Sequence, residues 1–161
     1  MKTGGIKSVK AELIICIALL VSLFSITMRP VAAVGTTVNV NLGSINVYIA
    51  NIFTVNVTVS NVSDLCGWEF KLYWNNTLVN CTQVQIHAPS IWINYTYDLG
   101  IGLQNAFNST HGRYWKAQAA LLPAPSFNGS MPLVTFTFKA LNTGTGTLDL
   151  EDVILADSKA A

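Results

Sequence analysis

Hydrophobic and polar residues alternate through most of the chain. From Leu65 to Asn76 the sequence LCGWEFKLYWNN puts Cys66, Trp68, Phe70, Leu72 and Trp74 on one side and Gly67, Glu69, Lys71 and Tyr73 on the other. A period of two is the mark of a β-strand with one buried and one exposed face. Burying each large side chain contributes roughly 1.5–3 kcal/mol, so this strand anchors a core. Three more stretches alternate in the same way. Phe53–Ser60 turns Phe53, Val55, Val57 and Val59 inward, and Leu133–Ala140 turns Val134, Phe136, Phe138 and Ala140 inward. Thr147–Leu155 buries Leu148 and Leu150 and exposes Thr147, Asp149 and Glu151. Thr36–Leu42, Ile45–Ala50, Leu78–His87, Ile91–Tyr97 and Arg113–Leu122 complete the predicted strands. Asn61–Asp64 reads as a polar turn, Asp98–Gly112 as the longest loop, Pro123–Pro132 as a second loop and Asn142–Gly146 as a tight turn. Eight or nine short strands with turns between them predict an all-β sandwich.

The first thirty-three residues have a different pattern. Lys2, Lys7 and Lys10 precede a fourteen-residue apolar run, Leu13–Ile26, which is followed by Arg29, Pro30 and Val31-Ala32-Ala33. A basic start, a short apolar run and small residues at the end make a secretory signal peptide. Residues 1–33 are thus expected to be removed after Ala33, leaving residues 34–161 as the domain. The run is shorter than the ~20 residues that span a bilayer, and membrane contact is expected only through this segment if it stays uncleaved. The predicted location is secreted or cell-surface.

Residues 34–161 carry seven acids and five bases, a net charge of −2, with no basic patch. That excludes nucleic acid as an expected partner. Asn-x-Ser/Thr triplets begin at Asn56, Asn61, Asn75, Asn80, Asn94, Asn108 and Asn128. Behind a signal peptide, such a density predicts a glycosylated surface protein. Cys66 and Cys81 form an even pair in a compartment that permits disulfides, so they either close one bridge or stand as two buried thiols.

Catalytic chemistry finds little support. His87 and His111 are isolated, and neither a His-Glu-x-x-His zinc motif nor a Gly-x-Ser-x-Gly elbow occurs. Asp149, Glu151, Asp152 and Asp157 cluster, but alternation sets Asp149 and Glu151 on a solvated strand face, so neither a metal nor any other cofactor is expected. Aromatics are the stronger clue. Trp92, Tyr95, Tyr97, Tyr114 and Trp115 are too many to be buried by alternation alone, and Trp92, Tyr95 and Trp115 are candidate platforms for stacking against sugars.

The run FTVNVTVSNVSDLCGWEFKLYWNNTLVN, with its step Trp74-Asn75-Asn76-Thr77-Leu78-Val79, resembles the opening of a cohesin domain. MPLVTFTFKALNTGTGTLDLEDVILAD resembles the later signature of that family. The likeness covers Thr36–Asp157, and its wording is similar to cohesin-like domains of archaeal surface proteins. It implies a non-catalytic, nine-stranded jelly-roll β-sandwich, related in fold to carbohydrate-binding modules. Cohesins of cellulosomes bind dockerin domains through the sheet that holds the aromatic strand. On this chain the resemblance implies a binding face of Glu69, Lys71 and Tyr73, with Tyr114 and Lys116 from Arg113–Gln118 and neighbours from Thr147–Glu151. Cohesin domains end with a further strand paired to the first. Here the sequence stops at Ala161, which predicts eight strands if that one is missing. It also predicts self-association through an open first-strand edge.

The leading expectation is a protein-protein module of dockerin type, assembling at the cell surface and associated with polysaccharide handling. A carbohydrate-binding module that takes polysaccharide directly, and a glycosylated structural surface or filament subunit, are the alternatives.

Overall fold

The computed structural model describes residues 35–159. The expected signal segment lies outside the described residues. Among the described residues nine strands form: β1 (Thr37–Val40), β2 (Ser44–Val47), β3 (Ile52–Leu65), β4 (Gly67–Asn75), β5 (Val79–Ile86), β6 (Thr96–Gln104), β7 (His111–Ala120), β8 (Phe127–Ala140) and β9 (Gly144–Ala156). They make two antiparallel sheets, a four-stranded one ordered β1-β3-β8-β5 and a five-stranded one ordered β2-β9-β4-β7-β6. This is the expected jelly-roll sandwich, with nine strands rather than eight.

The core comes from the alternation read above. Trp68, Phe70, Leu72 and Trp74 of β4 face Val55, Val57 and Val59 of β3 and Val134, Phe136 and Phe138 of β8, all buried. Ring contacts tie the layers together. Trp74 meets Phe138 edge-on at 5.2 Å, and Tyr114 meets Phe136 edge-on at 4.9 Å. Such pairs contribute about 0.5–1.5 kcal/mol beyond burial.

Several expected boundaries shift. Asn61–Asp64 is not a turn but part of β3, which stays paired with β8 through register shifts on either side of Val62. Asn61 and Asp64 take positive φ there, 54° and 63°, as small polar residues tolerate. The first part of the expected long loop, Asp98–Gln104, is β6, and its last two residues open β7. The alternation of β6 was masked by Gly100 and Gly102, which bulge the strand against β7. Gly100 has φ 109°, and a Cβ there would strike the Trp115 carbonyl. Ile91–Tyr97 is not a strand: Ser90–Trp92 is a single 3₁₀ turn, and β6 begins at Thr96. β8 begins at Phe127, inside the expected proline loop.

Cys66 and Cys81 are two buried free thiols, so the disulfide alternative is overturned. The nine residues of β4 lie between them. At ~3.3 Å per residue that strand holds them roughly 30 Å apart, far beyond disulfide reach. Among the described residues β1 pairs only with β3 and is an edge of the four-stranded sheet, as is β5. Among the described residues no helix is long and apolar enough to cross a membrane.

Candidate binding face

The five-stranded sheet buries one side, and its outer side is built row by row from the strand register. Tyr97, Ala119, Gly67 and Ala156 lie side by side across β6, β7, β4 and β9. The next outward row is Leu99, Ala117, Glu69 and Ile154. Then come Gly102, Trp115, Lys71 and Glu151, and finally Gln104, Arg113, Tyr73 and Asp149.

Apart from Glu69, the first two rows are apolar. Gly67, Ala117, Ala119 and Ala156 make a flat floor, and Tyr97 and Leu99 wall it on one side with Ile154 on the other, leaving a depression of about 160 Å³. The walls are half-exposed, at 51%, 54% and 55% for Tyr97, Leu99 and Ile154. Gly67 keeps the floor low, because a Cβ there would come within 3.2 Å of the Gln118 carbonyl.

The last two rows are charged. Lys71 Nζ sits 2.5 Å from Asp152 Oδ2. That contact, above all its hydrogen bond, holds the Lys71 ammonium pKa above the usual value. Trp115 donates its indole N–H to Glu69 Oε1 at 2.7 Å. Arg113 donates to Gln104 Oε1 from Nη2 at 2.6 Å, and its guanidinium lies 3.9 Å from the Phe107 ring centre. Phe107 in turn meets Tyr73 edge-on. A polar depression of about 220 Å³ lies at this end, lined by Tyr73, Asn108, His111, Asp149 and Glu151.

Glu69, Lys71 and Tyr73 therefore stand together on an outward face. Tyr114 and Lys116 do not join them. They share strand parity with Gln118 and pair with Leu72 and Phe70, both core residues. Tyr114 is 2% exposed, and burial, then Asp98 and Cys81, push its hydroxyl far above the usual tyrosine range. Lys116 reaches Asp98 at 3.4 Å, and Gln118 donates to the same carboxylate at 3.0 Å. The residues of β7 that do face outward are His111, Arg113, Trp115, Ala117 and Ala119. Aromatic and polar residues occupy both parities of this strand, so alternation alone did not orient it. The small residues at alternate positions, Ala117 and Ala119, were the available signal.

The expected sugar platform also comes apart. Trp92 is fully buried and donates its indole N–H to the Pro125 carbonyl at 2.9 Å, so it plugs the core and stacks on nothing outside. Tyr95 is 40% exposed beside it. Trp115 stands on the charged rows with Lys71 Nζ 5.5 Å and the Arg113 guanidinium 5.8 Å from its ring centre.

The opposite sheet differs in chemistry. Asn56 stands on β3, where its Oδ1 accepts from Thr135, and His87 Nε2 meets that hydroxyl at 2.9 Å. Thr135 has one proton and gives it to Asn56, so His87 is the donor. Asn61, Asn80 and Asn128 lie on strands of this same sheet, while Asn75, Asn94 and Asn108 lie at an end of β4 or in the connections around β6. Among the described residues no group of three or more His, Cys, Asp or Glu is placed to hold a metal ion.

No family model and no curated protein matches the chain. Solved structures do. A type II cohesin domain from the cellulosome of Acetivibrio cellulolyticus is similar with a TM-score of 0.57 at 10% identity, over 79% of this chain and 85% of that one. A type I cohesin–dockerin complex from Clostridium thermocellum gives 0.55 at 12% identity, over 78% and 89%. A non-cellulosomal cohesin from the archaeon Archaeoglobus fulgidus gives 0.53 at 17% identity, over 78% and 80%. The likeness runs through the whole sandwich, and the chain has the cohesin fold.

Proposed function

We propose that this domain is a non-catalytic protein-binding module that docks a dockerin-like partner on the outer face of its five-stranded sheet. The observation that carries this reading is the apolar trough on that face. Its Gly and Ala floor lets a partner's backbone come close, and the charged rows beside it supply direction. Burying the exposed halves of Tyr97, Leu99 and Ile154 contributes roughly 2–4 kcal/mol together. Glu69, Lys71 and Tyr73, with Arg113 and Trp115, fix orientation and speed encounter more than they add affinity. Solved cohesin structures in complex with dockerins support the choice of partner class. The module acts outside the cell, at the surface, in an assembly that handles polysaccharide.

The test is titration calorimetry of the purified domain against a panel of type I and type II dockerin modules. Ala119→Glu places a charge on the trough floor and abolishes binding. Thr137→Glu, on the opposite sheet, leaves binding intact. The proposal fails if no module binds, or if the Thr137 variant rather than the Ala119 variant loses it.

A further inference from the structure

Seven Asn-x-Ser/Thr triplets lie on this sandwich, and the structure separates two of them from the rest. In Asn75-Asn76-Thr77 the Asn75 Oδ1 accepts from the Thr77 amide at 2.9 Å and from the Thr77 hydroxyl at 2.7 Å. In Asn108-Ser109-Thr110 the Asn108 Oδ1 accepts from the Thr110 amide at 2.9 Å and from its hydroxyl at 3.2 Å. Each asparagine is held by the hydroxyl of its own triplet. Two or more donors on one oxygen fix the side-chain amide. Among the described residues neither Nδ2 donates to a protein group, so the nitrogen stays available.

The other triplets are built differently. The Thr82 hydroxyl of the Asn80 triplet donates to the Thr137 carbonyl. Ser63, of the Asn61 triplet, donates to Asn128 Oδ1, and Ser130, of the Asn128 triplet, accepts from the Asn61 amide. Asn56 Oδ1 is taken by Thr135. Asn94 sits at φ 69° with no such bond to Thr96.

The two selected triplets also touch. Asn76 donates from its amide to the Thr110 carbonyl and from Nδ2 to the Asn108 carbonyl, each at 3.1 Å. The turn after β4 and the loop before β7 are thereby joined at one end of the sandwich.

We infer that Asn75 and Asn108 form a paired acceptor site for N-linked oligosaccharide. The donor is an oligosaccharide carried on a lipid phosphate, and the catalyst is the exporting cell's membrane transferase. Asn Nδ2 bonds to the sugar C1, the C1–oxygen bond to the phosphate breaks, the lipid phosphate leaves with the electron pair, and one Nδ2 proton is released. Asn108 lines the polar depression beside Tyr73, His111, Asp149 and Glu151. A sugar there would border the charged end of the binding face and leave the apolar trough open.

The experiment expresses the full chain in a host whose transferase modifies Asn-x-Ser/Thr in exported proteins, with intact mass and glycopeptide sequencing as readouts. Glycan is expected on both Asn75 and Asn108. Thr77→Val and Thr110→Val should each lose one glycan mass, the double variant two, and Thr77→Ser none. Thermal midpoints of the variants are read alongside, and direct mapping on the parent chain stands even if a variant misfolds. Unmodified Asn75 and Asn108 in the parent, glycan confined to the other five asparagines, or unchanged mass in the folded double variant would each overturn the inference.

Discussion

Trp115 donates its indole N–H to Glu69 one step off the strand register, because Glu69 pairs with Ala117 while Lys71 pairs with Trp115. The diagonal bond fixes the indole beside Lys71 and Arg113 on the binding face. Glu69→Ala removes the acceptor and is expected to cost about 1 kcal/mol, below the usual range for a hydrogen bond to a charged group because the site is only part-buried. Glu69→Gln keeps an acceptor and should cost less than half of that. Urea midpoints of the three proteins check both.

Gly112 lies beneath the Trp74 indole, and a Cβ there would collide with Cε2 and Nε1 of the ring. Gly112→Ala is expected to destabilise the fold by ~1–3 kcal/mol through overpacking. Shrinking the ring relieves the collision, so Gly112→Ala combined with Trp74→Phe should cost less than the sum of the two single changes. Additive losses in chemical denaturation would show that the two residues do not meet.

Burial pushes the Cys81 thiol up to about 11, and it raises the Cys66 thiol as well. At pH 8 neither is ionised to a useful degree, and both are buried. An aromatic disulfide reagent should therefore find both thiols slow in the folded protein and both reactive in denaturant. A single bridge would leave neither to react, so this titration reads the cysteine state directly.

Asp64 accepts from the Ser158 hydroxyl at 2.7 Å and from the Ser158 amide at 3.3 Å. The Ser158 side-chain bond, then one from Ser126, hold its carboxyl below the usual value of 3.8. A lowered folded value means that the carboxylate's contribution is present above the unfolded value of about 3.9 and is lost as pH falls through the folded value. The Ser158 amide should lose exchange protection on acidification below about pH 4, before the core strands do. Asp64→Asn should show low protection at neutral pH too.

The strands with uninterrupted alternation were legible from residues alone. β4 is legible nearly to its ends and β8 only from Leu133 onward, because large apolar side chains stand there at every second position, whereas Phe127–Pro132 reads as loop. β6 was hidden by Gly100 and Gly102, which have no side chain to mark a face and which bulge the strand. β7 was found but not oriented. Tyr114 and Trp115 are neighbours of similar character, and only the pairing of Gly112 with Trp74 settles which one faces the core. Trp92 counts among the sugar-platform candidates because the aromatics outnumber what alternation can bury, yet the 3₁₀ turn aims it inward. The outward cluster of Glu69, Lys71 and Tyr73 was legible. The trough beside it was not, since its floor depends on Gly67, Ala117, Ala119 and Ala156 meeting across three strands.

Among the described residues only one strand pairing, β6 with β7, joins neighbours in sequence. β8 is the partner of both β3 and β5, and β9 is the partner of both β2 and β4. Neither sheet can close until the last two strands have been synthesised. Loop closure over such spans must precede the contacts that offset it, so folding falls in the slow, millisecond-to-second range of β-sandwiches. During synthesis β3 waits for β8 and β4 for β9, so the two sheets gain their long central pairings only as the last quarter of the sandwich is made.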